Sequence, residues 1–358
     1  MGNLLWRQLV VPKMADDIYS TVSLFLYYSQ FFGLNPVILK KSKDGKKCFK
    51  PFWLGVLYTF GLAAFLMYSF QFSYGNIAMF ADNDSDIMFM HTVCKLVFGP
   101  ISNGIIFSSS MLSVRNLCEV INKLSAYDMV FQKHVATMKY KWIKWVFLLI
   151  FLISLGLCSA YFYNEDVVLR KVSERKLTLF EFVSFFMSWC LFDIISWTLI
   201  LVVGSFMFLV FKKFQQINDK LMLVLADYGK KLDKDGDDTA SIFSLTSANP
   251  RKRTPHIKLY ADERRLPSKE VANIRYLHIL LIRIAQDLNG IYATRLLTIL
   301  ALNVVLLCFS SFLLILMLVT GRRDSVLTTA CIWVCVRFFP SCVLIAPFVL
   351  VTNEVSYW

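Results

Sequence analysis

Apolar residues in this chain gather into six long runs, at 52–74, 87–110, 145–163, 179–211, 296–320 and 327–351, parted by more polar stretches. A run of about 20 apolar residues spans the ~30 Å hydrocarbon layer of a bilayer as a helix. Lipid offers the backbone no hydrogen-bonding partner, so runs of this kind cross as helices. The pattern predicts an all-α fold, a polytopic membrane helical bundle of about six transmembrane helices. The fourth run is too long for a single crossing and predicts one helix that projects past the membrane.

Shorter periodicities organise the rest. Ile18, Val22, Leu26, Tyr27 and Phe31 recur at three- and four-residue spacing and predict an amphipathic helix over 18–32, set against the membrane surface or the bundle. Gly33, Leu34, Asn35 and Pro36 then break it. Val114, Leu117, Cys118 and Ile121 form the apolar face of a helix within 111–144, a face that needs a partner. Ile274, Leu277, Leu281, Ile284 and Leu288 predict a helix over 271–295 that leads into the fifth run. Between them, 230–268 is rich in Lys and Asp, then in Ser and Thr, with Pro250, Pro255 and Pro267, and reads as a flexible basic insert. The expected organisation is an N-terminal segment 1–51, helices one to four over 52–211, a loop 212–295, helices five and six over 296–351, and a short tail 352–358.

Composition agrees with this picture: 57% of residues are apolar and 18% charged, against about 25% charged in soluble domains. A net charge of +13 would suggest a nucleic-acid partner in a soluble protein, but its distribution answers a different question. Thirty Lys and Arg residues precede the first run, lie between the second and third, or follow the fourth. Only Arg170, Lys171, Arg175, Lys176, Arg322 and Arg323 fall on the other side. The positive-inside rule then puts the N-terminus, the basic loop and the tail in the cytoplasm, and no nucleic acid is expected. The sequon Asn83-Asp84-Ser85 falls in the first outward loop, which makes Asn83 a candidate glycosylation site. Residues 1–13 lack the apolar core of a cleavable signal, so the first run is expected to act as its own insertion signal.

No glycine-rich phosphate loop, nucleophile triad or carboxylate pair stands in a catalytic context, so neither an enzyme nor a cofactor is expected. Cys331 and Cys335 share a helix face but have no third ligand, so no metal site is expected. The informative polar residues lie inside the runs. Ionisable groups at bilayer depth cost at least ~2.5 kcal/mol each on insertion scales and need a partner or a wet cavity. Lys95, Asp193 and Arg337 are such groups, and in the predicted topology all three lie at similar depth from the outer face. His91, Trp189 and Trp333 each sit one turn further out. Two readings stay open: an ion pair that ties helices together, with tryptophans as interfacial anchors, or a ligand site with polar groups below aromatic platforms.

Three further segments carry a family resemblance. Phe32-Gly33-Leu34-Asn35-Pro36 resembles a Gly-Leu-x-Pro turn, and Phe214 to Leu221 is similar to a Phe-x-x-x-Asn-x-x-Leu pattern. Leu277-His278, Leu288-Asn289 and Leu296-Leu297 resemble a helix that enters the fifth span. Together they resemble the insect gustatory receptor family of the insect chemoreceptor superfamily. The resemblance implies a taste receptor subunit of the plasma membrane, a ligand-gated non-selective cation channel assembled as a homo- or hetero-tetramer. Its ligand would be a small-molecule tastant, sugar-like or bitter, and membrane lipid would surround it. It also implies a seventh, pore-lining helix; this sequence stops at Trp358 soon after the sixth run, so a truncated, non-conducting form is the expectation for the chain as given. The alternatives are a transporter, which would show matching repeats with broken helices, and a G-protein-coupled receptor, which would need the opposite orientation.

Overall fold

The computed structural model describes residues 17–41, 47–75, 86–135, parts of 145–163, 178–234, 268–321 and 325–356. Helix α1 (Asp17–Phe31) leads through a turn into a short hairpin, β1 (Val37–Lys41) and β2 (Lys47–Pro51). Then follow α2 (Trp53–Gly75), α3 (Asp86–Leu112), α4 (Val114–His134), α5 (Leu179–Phe186), a π-helical turn (Met187–Leu191), α6 (Phe192–Lys234), α7 (Ser268–Val319) and α8 (Ser325–Val355). The chain is thus an all-α membrane bundle with one small hairpin. Four helices among the described residues are long and apolar enough to cross a membrane, or five if the bent pair of α3 and α4 is one span. The run at 145–163 is described only in pieces, which are helical.

Helix α1 follows its predicted bounds and buries Ile18, Val22 and Leu26, but Tyr27 and Phe31 are turned outward. The expected break takes the form of a tight turn, in which Gly33 (φ 73°) and Asn35 (φ 50°) both adopt left-handed backbone. The hairpin that follows pairs Val37 with Pro51 and Lys41 with Lys47 in antiparallel register. It tucks Val37 and Phe49 inward, and Asn122 of α4 closes the outer edge of β2, accepting from Phe49 N at 2.9 Å and donating to Phe49 O at 3.1 Å.

After Leu112 the chain bends by 60° at Ser113 into α4. The apolar face expected on this helix is real: Val114, Leu117, Cys118 and Ile121 are buried, and α4 packs chiefly on α7 and β2.

Thr178 and Glu181 form a reciprocal capping box that starts α5. From there α5, the π-turn and α6 form one uninterrupted stretch of helix, as the over-long fourth run implied. At 43 residues, α6 alone is about 65 Å long, and α7, at 52 residues, is about 78 Å long. Both exceed a ~30 Å hydrocarbon layer, so each extends well beyond it. Helix is described to Lys234 and from Ser268, so 230–234 of the expected insert is helical; 235–267 lies outside the described residues. Helix α6 is the hub of the bundle: 78% of its apolar window is buried, against 28% for α2 and 33% for α7 and α8. The exposed Trp53, Leu54, Leu57 and Phe60 of α2 are the surface that lipid would cover.

Two apolar cores result. The larger joins α1, the hairpin, α4, α6 and the first half of α7. The smaller comprises Phe70, Leu96, Tyr161, Trp197, Leu302, Leu306, Trp333 and Val336 with a few neighbours, and it encloses the polar residues described next.

Candidate ligand site

Lys95 on α3, Asp193 at the start of α6 and Arg337 in the middle of α8 come together, all about 2% exposed. Lys95 Nζ donates to Asp193 Oδ2 at 2.9 Å, and Arg337 Nη1 donates to Asp193 Oδ1 at 2.5 Å. The carboxylate is thus shared between two cations from two other helices, one on each oxygen. Arg337 Nη1 also donates to Asn303 Oδ1 on α7 at 3.3 Å, and Lys95 Nζ donates to the Tyr161 hydroxyl. Five segments of the bundle therefore meet at one polar node.

The side chains packed around the node are apolar. Leu96 follows Lys95, Leu302 precedes Asn303, and Val336 precedes Arg337, and all three belong to the smaller apolar core. Trp333, one turn from Arg337, is 3% exposed and belongs to the same apolar core. Trp197, one turn beyond Asp193, is also buried and packs 6.2 Å from Phe339. Charges in such surroundings lose hydration that only good geometry offsets, so an ion triad of this kind contributes little net stability. It fixes which helices meet and where.

The backbone leading to Asp193 is unusual, because Met187–Leu191 is π-helical. A π-turn inserts one extra residue into a helix and is common at functional sites. It is tied to α2 by a 2.7 Å hydrogen bond between the Ser73 and Ser188 hydroxyls. Just past it, the Ser196 and Thr198 hydroxyls are buried and make no hydrogen bond among the described residues. Buried hydroxyls in that condition are uncommon and call for a polar partner.

Of the six predicted site residues, the structure brings Lys95, Asp193 and Arg337 together, and Trp333 is buried one turn from Arg337. His91 and Trp189 lie on helix, but their side chains are outside the described set, as is Asn83 altogether. Tyr161, Asn303 and Trp197 were not expected. A tyrosine or asparagine inside an apolar run is a weak signal, and nothing in spacing alone pairs them with the triad.

The segments that carry the resemblance have structural tasks elsewhere. Leu34 is fully buried in the turn after α1, and Gly33 O accepts from Thr59 Oγ1 at 2.8 Å. Phe214 is fully buried and meets the His278 ring edge-on at 5.2 Å, which joins two of the resembling segments directly. Asn218 reaches the end of α8, where it donates to Glu354.

A family profile described as 7tm chemosensory receptor matches residues 22–356, nearly the whole chain. No curated protein matches it.

Proposed function

Because the chain belongs to the 7tm chemosensory receptor family, we propose that it is a gustatory receptor subunit of the insect type, a ligand-gated cation channel whose tastant binds at the Lys95–Asp193–Arg337 node. The observation that carries the reading is the node itself: three charges, a tyrosine and an asparagine from five segments, enclosed by Trp333 and Trp197. A small molecule with hydroxyls or an amine would exchange hydrogen bonds with these groups and with Ser196 and Thr198, while its apolar face stacked on indole. Sugars and alkaloids both have that character. Binding that displaces one cation from Asp193 would loosen the contact between α6 and either α3 or α8, which gives the ligand a differential grip on two states of the bundle. In this reading the N-terminus is cytoplasmic, the node lies in the outer half of a plasma-membrane bundle, and subunits assemble as a tetramer.

Two measurements test it. Purified protein titrated with sucrose, fructose, trehalose, quinine and caffeine should show quenching of tryptophan fluorescence by at least one compound, and Trp333→Phe or Asp193→Asn should weaken that response at least tenfold. Oocytes expressing the chain joined to the seventh span of a related receptor, the helix that the resemblance assigns to the pore, should give a current to the same compound that reverses near 0 mV. Binding unchanged in both variants would remove the node as the ligand site, and binding without current would remove the channel mechanism.

A further inference from the structure

A second buried polar centre lies two turns down α7 from Asn303. Arg295 is 0% exposed, and its partners among the described residues are all uncharged. Its Nη1 donates to Asn35 Oδ1 at 3.3 Å, its Nε to Ser109 Oγ at 3.1 Å, and its Nη2 to Ser109 O at 3.0 Å and to Ser113 Oγ. The guanidinium also lies 5.0 Å from the centre of the Tyr292 ring. A buried cation with no carboxylate beside it is costly, and one in contact with the wall of an open cleft can gain its counter-charge from a ligand.

Such a cleft is present. Ser109 and Ser113 line a cavity of about 700 Å³ between the α3–α4 bend and α7. Ser113 Oγ already donates to Ser109 O at 2.7 Å. Ser109 Oγ accepts from Arg295, and its own proton goes to no acceptor among the described residues. A hydroxyl polarised in this way by a guanidinium is a strong donor toward an anion. Asn116, Gln286 and Thr294 add further donors to the same wall. At one end the cleft is bounded by Leu112, 84% exposed. At the other end stand Glu119, which is exposed, and the Lys123–Asp287 pair at 3.3 Å, which is neutral as a unit.

We propose that this cleft binds a phosphate group, with the Ser109 hydroxyl donating to a phosphate oxygen and Arg295 supplying the charge behind it. Several oxygens on one centre suit several convergent donors, and the exposed Leu112 suits an acyl chain if the phosphate belongs to a lipid. Because the cleft lies against the 60° bend between α3 and α4, its occupant would brace that bend. The site is separate from the tastant node and does not depend on it.

Gly290 makes the proposal testable. It lines the cleft, and a Cβ placed there meets nothing within 4 Å, so a large side chain at this position fills the cleft without displacing backbone. Purified protein would be heated with dioctanoyl phosphatidic acid, dioctanoyl phosphatidylcholine or inorganic phosphate, and lipids retained would be counted by native mass spectrometry. Phosphatidic acid is expected to raise the midpoint by roughly 3 °C at saturating concentration, with one lipid retained. Gly290→Trp and Ser109→Ala should each abolish both effects while keeping the wild-type helical circular dichroism. Inorganic phosphate reproducing the full shift supports the site with a soluble source, and phosphatidic acid alone doing so supports a lipid source. An equal shift and count with phosphatidylcholine, or wild-type behaviour in Gly290→Trp, would overturn the proposal.

Discussion

Asn218 of α6 holds Glu354 of α8 twice: its amide nitrogen donates to the Glu354 carbonyl oxygen at 3.2 Å and to Oε2 at 2.7 Å. The contact occupies an orphan carbonyl at a helix end, a group that otherwise needs water or a cap. It also explains why an asparagine stands between Phe214 and Leu221. Asn218→Leu should cost about 1–2 kcal/mol, the scale of a partly buried, charge-assisted hydrogen bond, and should make 350–356 more susceptible to protease. A wild-type midpoint together with wild-type digestion would show that the contact has no structural weight.

At the polar node, Asp193→Ala strands two buried cations and should destabilise the bundle by about 3–5 kcal/mol. The double variant Asp193→Ala/Lys95→Met removes one of the stranded charges, so it should be more stable than Asp193→Ala alone. A double-mutant cycle on unfolding midpoints should give a coupling of at least ~1 kcal/mol. Simple additivity would mean that the pair contributes nothing specific.

Lys213 of α6 is 0% exposed and pairs with Asp128 of α4, its ammonium lying 4.7 Å from the centre of the Phe131 ring. The two partners are not equivalent. Lys213→Met keeps the aliphatic stem and leaves Asp128 still accepting from Gln132 at 2.9 Å, whereas Asp128→Ala leaves a cation in an apolar core. Asp128→Ala should therefore be the worse variant by about 2 kcal/mol or more. The reverse order in thermal unfolding would place the cost on the carboxylate side.

Two glycines should respond in opposite directions to alanine. Gly33 has a positive φ, and an added Cβ would lie 3.0 Å from Phe107 and 3.1 Å from Leu62, so Gly33→Ala should cost about 1–2 kcal/mol from backbone conformation alone. Gly61, in α2, has nothing within 4 Å of a Cβ, and Gly61→Ala should stabilise by about 0.5–1 kcal/mol. The sign of the midpoint change for each variant decides the matter.

The proposed orientation follows from the charge asymmetry. Epitope tags at the N-terminus and within 235–267 should stain only after permeabilisation. Staining of either on intact cells would reverse the topology and put the node in the inner half of the membrane.

How much of this was legible in the sequence depended on how each feature is encoded. Long apolar runs are, because burial in lipid demands them at nearly every position; charges within those runs are too, because their cost sets them apart from background. Lys95, Asp193 and Arg337 therefore stand out in the sequence itself. Hydrogen-bond register leaves no trace in composition, so the π-turn at 187–191 could not be read. The hairpin was hidden by the lysines at 40, 41, 43, 46 and 47, which read as a charge run. Arg295 and Lys213 counted as two of thirty cytoplasmic-side charges, whereas both are buried and bonded within the bundle. Charge counting gives the side of the membrane, and it cannot tell a solvated lysine from a sequestered one.

Asp193 and Asn218 sit on one unbroken helix, 25 residues apart, which is about 37 Å of stiff rod. A ligand that turned this rod at the node would use it as an arm about a pivot. A rotation of about 5° around Asp193 carries Asn218, and with it the end of α8, through roughly 3 Å, with no residue in between changing conformation. Small torque at one end becomes travel at the other, so the mechanical gain of the molecule resides in the continuity of α6.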